Sequence, residues 1–178
     1  MKRILFQLLL VLLMTASSCV SGCTHYYDPP TPEEADAFLK KNQPDIDLVV
    51  DCLRSIDAES AHIDRNSTTI WYAFEHHDIL EQDVIASLQR LWKAGCEAIS
   101  IDHRKNTISF EIWYRTRGDI GCGIACPIDG QGYPKAEMQT ECTPISGGWF
   151  HYVADYEKYR ISPSKYDEMW DAETNQTP

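Results

Sequence analysis

Ile108-Ser109-Phe110-Glu111-Ile112-Trp113-Tyr114-Arg115 is the stretch on which the architecture turns. In an extended chain Ile108, Phe110, Ile112 and Tyr114 fall on one side, and Ser109, Glu111, Trp113 and Arg115 on the other. A period of two belongs to a strand with one face in a core, because successive Cβ atoms of a strand point in opposite directions. Just upstream, Ile99 and Ile101 alternate in the same way and Arg104-Lys105-Asn106 has turn character, so the pattern predicts a hairpin. Ile70, Tyr72 and Phe74 mark another strand face. Further short strands are predicted near Gly123–Ile128, Glu137–Thr143 and Trp149–Val153.

Around these strands the period lengthens to that of a helix. Thr31-Pro32-Glu33-Glu34 reads as a helix start, with Thr31 as cap, Pro32 at the first helical position and Glu34 closing a capping box. Ala35, Phe38 and Leu39 begin an apolar stripe that resumes at Ile46, Val49, Val50, Leu53 and Ile56, with Cys52 beside it. Pro44 lies between the two halves and is expected to kink the helix or to begin a second one. A further helix is predicted over Glu81–Ala94, with Val84, Ile85, Leu88, Leu91 and Trp92 on one side and Gly95 as its stop. The expected fold is therefore α+β: an antiparallel sheet of about five to seven strands with two or three helices on one face.

The N-terminal residues follow another logic. Lys2 and Arg3 precede an apolar run, Ile4 to Met14, broken only by Gln7, and small residues follow. As a helix the run spans about half of a bilayer's hydrocarbon core, too short for a lasting span. Ala16-Ser17-Ser18 ahead of Cys19 suits ordinary signal peptidase. Val20-Ser21-Gly22-Cys23 resembles the lipobox of bacterial lipoproteins. That resemblance covers residues 1–23 only. It implies that Cys23 becomes an acylated N-terminus (Cys19 is the alternative acceptor) and that the protein is extracytoplasmic, anchored to an outer membrane or to the outer face of the cell membrane. Beyond the leader the chain looks like small bacterial lipoproteins without a characterised family. More than one acyl chain is needed for stable anchoring. The expected organisation is a signal peptide over 1–22, a stalk over 23–30, one domain over 31–161 and a polar tail over 162–178.

Without residues 1–22 the chain loses two of its 16 basic residues and none of its 27 acidic ones, which leaves a net charge of −13 with neutral histidines. Such a surface repels nucleic-acid phosphates and anionic head groups. It suits solubility, and it would attract a cationic peptide, polyamine, basic protein or divalent cation.

Candidate chemistry is sparse. Cys52, Cys96, Cys122, Cys126 and Cys142 remain beyond the leader, and export would permit disulfides. If residues 129–135 form a hairpin loop centred on Gly132, Cys122 and Cys142 are equidistant from its centre and face one another, so they are the preferred bridge. Cys122 and Cys126 have C-x₃-C spacing, which is not the C-x-x-C of redox sites, and they lack a second ligand pair for zinc. No H-E-x-x-H, Walker loop or dinucleotide fingerprint occurs, so no cofactor or metal is expected. His76 and His77 are adjacent, and Asp102 could orient His103 as a base; a hydrolase or metal-assisted enzyme would draw on these four. Trp71 and Trp113 lie opposite the aliphatic strand faces. With helices covering those faces, both would form an exposed binding surface together with the Gly118–Pro134 segment, unless the C-terminal strands cover it. The favoured function is a non-catalytic binding or interaction module whose partner is a protein, a glycan or a cationic ligand. The alternatives are the enzyme above and a structural protein of the cell envelope.

Overall fold

The computed structural model describes residues 28–72, 75–77, 80–115, 120–135 and 139–157, with the backbone alone at 75–77 and 115. Helix α1 is Pro32–Arg54 and helix α2 is Gln82–Ala94. The strands are β1 (Ser60–Asp64), β2 (Ile70–Tyr72), β3 (Glu75–His77), β4 (Ala98–Asp102), β5 (Thr107–Arg115), β6 (Ile120–Pro127), β7 (Gln139–Pro144) and β8 (Phe150–Asp155), with a 3₁₀ turn at Ser146–Gly148. All eight join one antiparallel sheet in the order β3-β2-β1-β4-β5-β6-β8-β7. The fold is α+β, and the sheet has one strand more than the widest expectation.

Helix α1 begins as its sequence dictates. Glu34 N–H donates to Thr31 Oγ1 at 3.3 Å, and Thr31 N–H donates to Glu34 Oε2 at 2.9 Å, so two orphan donors of the first turn are satisfied reciprocally. Of the two outcomes expected at Pro44, a second helix does not occur, since one helix runs through it. Pro44 and Lys40, whose carbonyl loses its usual partner there, are both on the exposed side, where water replaces the missing N–H. Ala35, Leu39, Ile46, Val49, Val50 and Leu53 bury the opposite stripe. Helix α2 buries Val84, Leu88, Leu91 and Trp92 and ends at Gly95, whose φ of +108° is a left-handed cap that glycine adopts without strain. Arg90 donates to both carboxylate oxygens of Asp45 at 2.6–3.1 Å and ties the helices together. Asp36 is held down to about 2 by Lys40 and Ser146, fastening α1 to the 3₁₀ turn.

Both helices pack on one side of the sheet. Ala61, Ile63, Ile99, Ile101, Ile108, Phe110, Ile124 and Cys126 belong to the same buried cluster as the helical stripe. The other side carries a different row. Trp71, His62, Ser100, Ser109, Ala125 and Phe150 stand opposite one another in succession across β2, β1, β4, β5, β6 and β8. Paired residues share a face, so the helix-free face is small and polar at its centre and aromatic toward both ends.

Phase is reset once. A bulge between Glu111 and Trp113 brings Trp113 opposite Cys122, on the helix side, after Glu111 has stood opposite Gly123 on the other side. An extra residue on one strand turns every later side chain over. Trp113 therefore lies beside Ile112, Phe38, Pro29 and Pro30 in a groove of about 470 Å³, away from Trp71. The joint Trp71–Trp113 surface expected from uninterrupted alternation does not form.

Candidate functional site

The helix-free face holds a cleft of about 290 Å³ between β1, β4 and β5. Ser60, His62, Ser100, Asp102, Arg104, Lys105, Thr107, Ser109 and Lys135 line it, together with Ala61 and Ile101. Ser100 Oγ and Ser109 Oγ are 2.7 Å apart and form the floor. His62 makes one wall, its ring lying on Trp71 with centroids 6.1 Å apart and planes 6° from parallel. The far wall belongs to residues 128–135, which fold back against the β4–β5 turn. Asn106 Nδ2 donates to Asp129 Oδ1 at 2.7 Å, and Asp129 N–H returns a bond to Asn106 Oδ1 at 3.2 Å. The bond from Asn106 Nδ2 holds the Asp129 carboxyl below its ordinary value, with Gln131 N–H helping. Lys135 N–H then donates to Thr107 Oγ1 at 2.6 Å, which brings Lys135 to the cleft.

At the closed end, Asp102 Oδ1 accepts from Arg104 N–H at 3.0 Å and Lys105 N–H at 3.2 Å. Arg104 Nε is also 3.2 Å from Glu59 Oε1. The carboxylate of Asp102 thus builds the turn and does not orient His103, whose exposed side chain sits on that turn while its N–H donates to Glu59 O. His76 and His77 are in edge strand β3, three strand spacings from β4, about 14 Å. The side chains of His76 and His77 lie outside the described residues. The four residues expected to serve an enzyme are therefore not gathered at one point. Among the described residues, no three His, Cys, Asp or Glu side chains are placed to hold a metal ion.

Cys23 lies outside the described residues. Strand β8 runs between β6 and β7, which corrects the preferred bridge: Cys122 stands opposite Val153 and Cys142 opposite Tyr152, so the two are two strands apart and on opposite faces. That separation, about 9.6 Å, exceeds the span of a disulfide. Among the described residues no disulfide joins any of these five cysteines. Instead Cys122 Sγ lies 3.1 Å from His151 Nε2 under Pro30. Burial pushes the thiol up to about 12 and pulls the His151 imidazole below its ordinary value, so the pair is neutral. A neutral thiol is a packing group and not an activated nucleophile.

One carboxyl was not foreseen as special. Glu111 stands on the helix-free face beside Gly121 and Gly123, near Tyr152, and desolvation pushes it up to about 7, with the Glu97 carboxylate adding to the shift. The cleft residues Ser60, His62, Ser100, Thr107, Ser109 and Lys135 were also missed. Ser60 and His62 do carry a signal, since they alternate with buried Ala61 and Ile63 in β1. Comparison with protein-family models, with curated proteins and with solved structures finds no match to this chain, so its functional reading rests on the cleft itself.

Proposed function

We propose that this chain is a lipid-anchored, extracytoplasmic binding module, tethered through acyl chains on Cys23, whose ligand seats in the cleft on the helix-free face. The observation that supports this reading is a preformed polar cleft whose one lining carboxylate, Asp102, is engaged in building the β4–β5 turn. Ser100 and Ser109 bond to each other on its floor. Sites of this kind hold a small ligand by a few placed polar groups. No described helix is long and apolar enough to cross a membrane, and attachment through Cys23 needs none.

Ser100 is half-buried at the centre of the floor, so Ser100→Phe fills the cleft without entering the helix-side core. The detergent-extracted full chain is screened by thermal shift against soluble glycans, peptides and polyamines. The expected result is a ligand that raises the melting temperature of the wild type by several degrees and leaves Ser100→Phe unmoved. A ligand at 100 times its Kd adds about 2.7 kcal/mol. A ligand that shifts both proteins equally, or no ligand at all, overturns the cleft as the site.

The anchor is tested separately. Cys23→Ser is expected to move the protein from the envelope fraction to the soluble one and to remove the acyl mass from the intact chain. Undiminished sedimentation with unmodified wild-type mass would overturn it.

A further inference from the structure

Resting on the reading of the chain as an exported lipoprotein, we infer that Asn66 is the acceptor of an N-linked oligosaccharide, attached by a transferase of the membrane that the chain crosses. The sequence supplies the pattern. Asn66-Ser67-Thr68 has a hydroxyl two residues after the asparagine, the arrangement that N-glycosylation requires. Asp64 adds a carboxylate two residues before it. The same spacing recurs at Glu173, Asn175 and Thr177, outside the described residues. Of the four asparagines, Asn42 and Asn106 lack the hydroxyl, and the two that have it also have the acid. In an extended segment side chains two apart share a side, so a partner meets carboxylate, amide and hydroxyl together. The enzyme that fits this pattern offers a cation to the acid and a hydrogen-bonding group to the hydroxyl.

The fold keeps all three groups accessible. Asn66 lies in the turn that joins β1 to β2, at a φ of +64°, a left-handed conformation that asparagine tolerates better than most residues. Ser67 holds the turn: its N–H donates to Asp64 O at 2.9 Å, and its Oγ accepts from Thr69 N–H at 3.1 Å. Arg65 is paired with Glu97. The Asn66 amide and the Thr68 hydroxyl are exposed and make no hydrogen bond to a described residue. Asp64 is exposed as well, with His62 Nε2 4.0 Å from its carboxylate. Beside Asn66 a space of about 340 Å³, bounded by Gln89, Trp92 and Lys93 of α2, leaves room for a first sugar. β1 and β5 both run antiparallel to β4, so this turn leaves the sheet at the end where Trp113 meets Pro29 and Pro30. The acceptor is therefore at the end where the chain enters from its anchor. The Asp102 turn of the cleft is at the other end, beside Ser60, so glycan and ligand are separable. In the transfer, Asn66 Nδ2 forms a bond to C1 of an oligosaccharide carried on a lipid pyrophosphate. The bond from C1 to the pyrophosphate oxygen breaks, its electron pair leaves with the lipid pyrophosphate, and the amide proton passes to a base of the transferase.

The test is mass mapping of tryptic peptides from the full chain, extracted in detergent from the envelope of its own host. Between Arg54 and Arg90 Asn66 is the sole asparagine, so peptides from residues 55–90 report on it whether or not trypsin cuts at Arg65. A mass increment equal to a sum of sugar residues is expected there, and none on the peptide 106–115, which begins with Asn106. Thr68→Ala is expected to abolish the increment and Thr68→Ser to keep it. Thr68 is exposed, so both variants should melt with the wild type. Asp64→Asn is expected to lower the glycosylated fraction about tenfold, the worth of one charge-assisted contact. Unmodified peptides in the wild type overturn the inference. So does an increment that survives Thr68→Ala, since the sugar would then sit on a hydroxyl. Undiminished modification of Asp64→Asn overturns the acid-reading transferase. If the sugar is absent while the intact chain carries its acyl mass, this inference falls alone; if both are absent, the exported lipoprotein falls with it.

Discussion

Gly123→Ala is expected to destabilise the domain by about 3 kcal/mol or more and to leave most of the chain insoluble. A Cβ at Gly123 would lie 2.0 Å from Phe110 O, 2.9 Å from Phe110 C and 2.9 Å from Tyr152 Cε1. The first two contacts are backbone, so no rotamer relieves them; β5 and β6 would have to separate at the middle of the sheet. Glycine is needed here for close approach, next to the bulge that begins after Glu111. Since domains are stable by only about 5–15 kcal/mol in all, such a loss is a large share of the total. Gly121→Ala is the control. Its Cβ would meet Glu111 Oε2 at 2.8 Å, the far end of a flexible side chain, and should cost about 1 kcal/mol or less. Soluble yield and urea midpoints of the two variants decide the matter. Equal midpoints would mean that the sheet relaxes at Gly123 and that the close approach is not structural.

The second large effect is a dependence of stability on pH that Glu111 imposes. Its folded carboxyl titrates at about 7 against an ordinary 4.5, chiefly because burial disfavours the ionised form. Glu97, whose N–H donates to Glu111 O at 2.7 Å, adds repulsion and is itself paired with Arg65. The raised value sets the sign. Below about 4.5 the carboxyl is protonated folded and unfolded alike, and the chain bears no cost. Between 4.5 and 7 the unfolded chain releases the proton first, so stability falls as pH rises, and above about 7 the full cost remains. One pKa unit is worth about 1.4 kcal/mol, and after allowance for partial exposure the span is about 2 kcal/mol.

Glu111→Gln should be close to the wild type in stability at pH 4.5 and about 2 kcal/mol more stable at pH 8. His151 acts in the opposite sense: burial lowers its value, so its contribution is present above the ordinary 6.5 and lost as pH falls. The wild-type curve alone mixes the two. The difference between wild type and Glu111→Gln, from urea unfolding at each pH, isolates the carboxyl. A flat difference from pH 4.5 to 8 would show that Glu111 finds a solvated position in solution.

Much of the scaffold is legible from local pattern. The capping box at Thr31 and Glu34, the stop at Gly95, the helical stripes and the hairpin around Arg104-Lys105-Asn106 are each settled by residues within a few positions of one another. The cleft is much less so. Its lining runs from Ser60 to Lys135, and only Asp102 among those residues was a candidate, for a role it does not play. Ser100 and Ser109 read as the unremarked polar side of two strands, and Lys135 as an ordinary loop charge.

What the residues determined by themselves is the two helices and most of the strands, though not β1, with the two periods and the face each helix buries, because those follow from bond geometry and from whether a side chain gains by leaving water. Only the tertiary structure decided the rest. The bulge after Glu111 moved Trp113 across the sheet, and the place of β8 between β6 and β7 parted Cys122 from Cys142. Both depend on pairings between strands remote in sequence. A local window does not record which remote strand wins an edge, nor where a glycine on one strand lets its neighbour take up an extra residue.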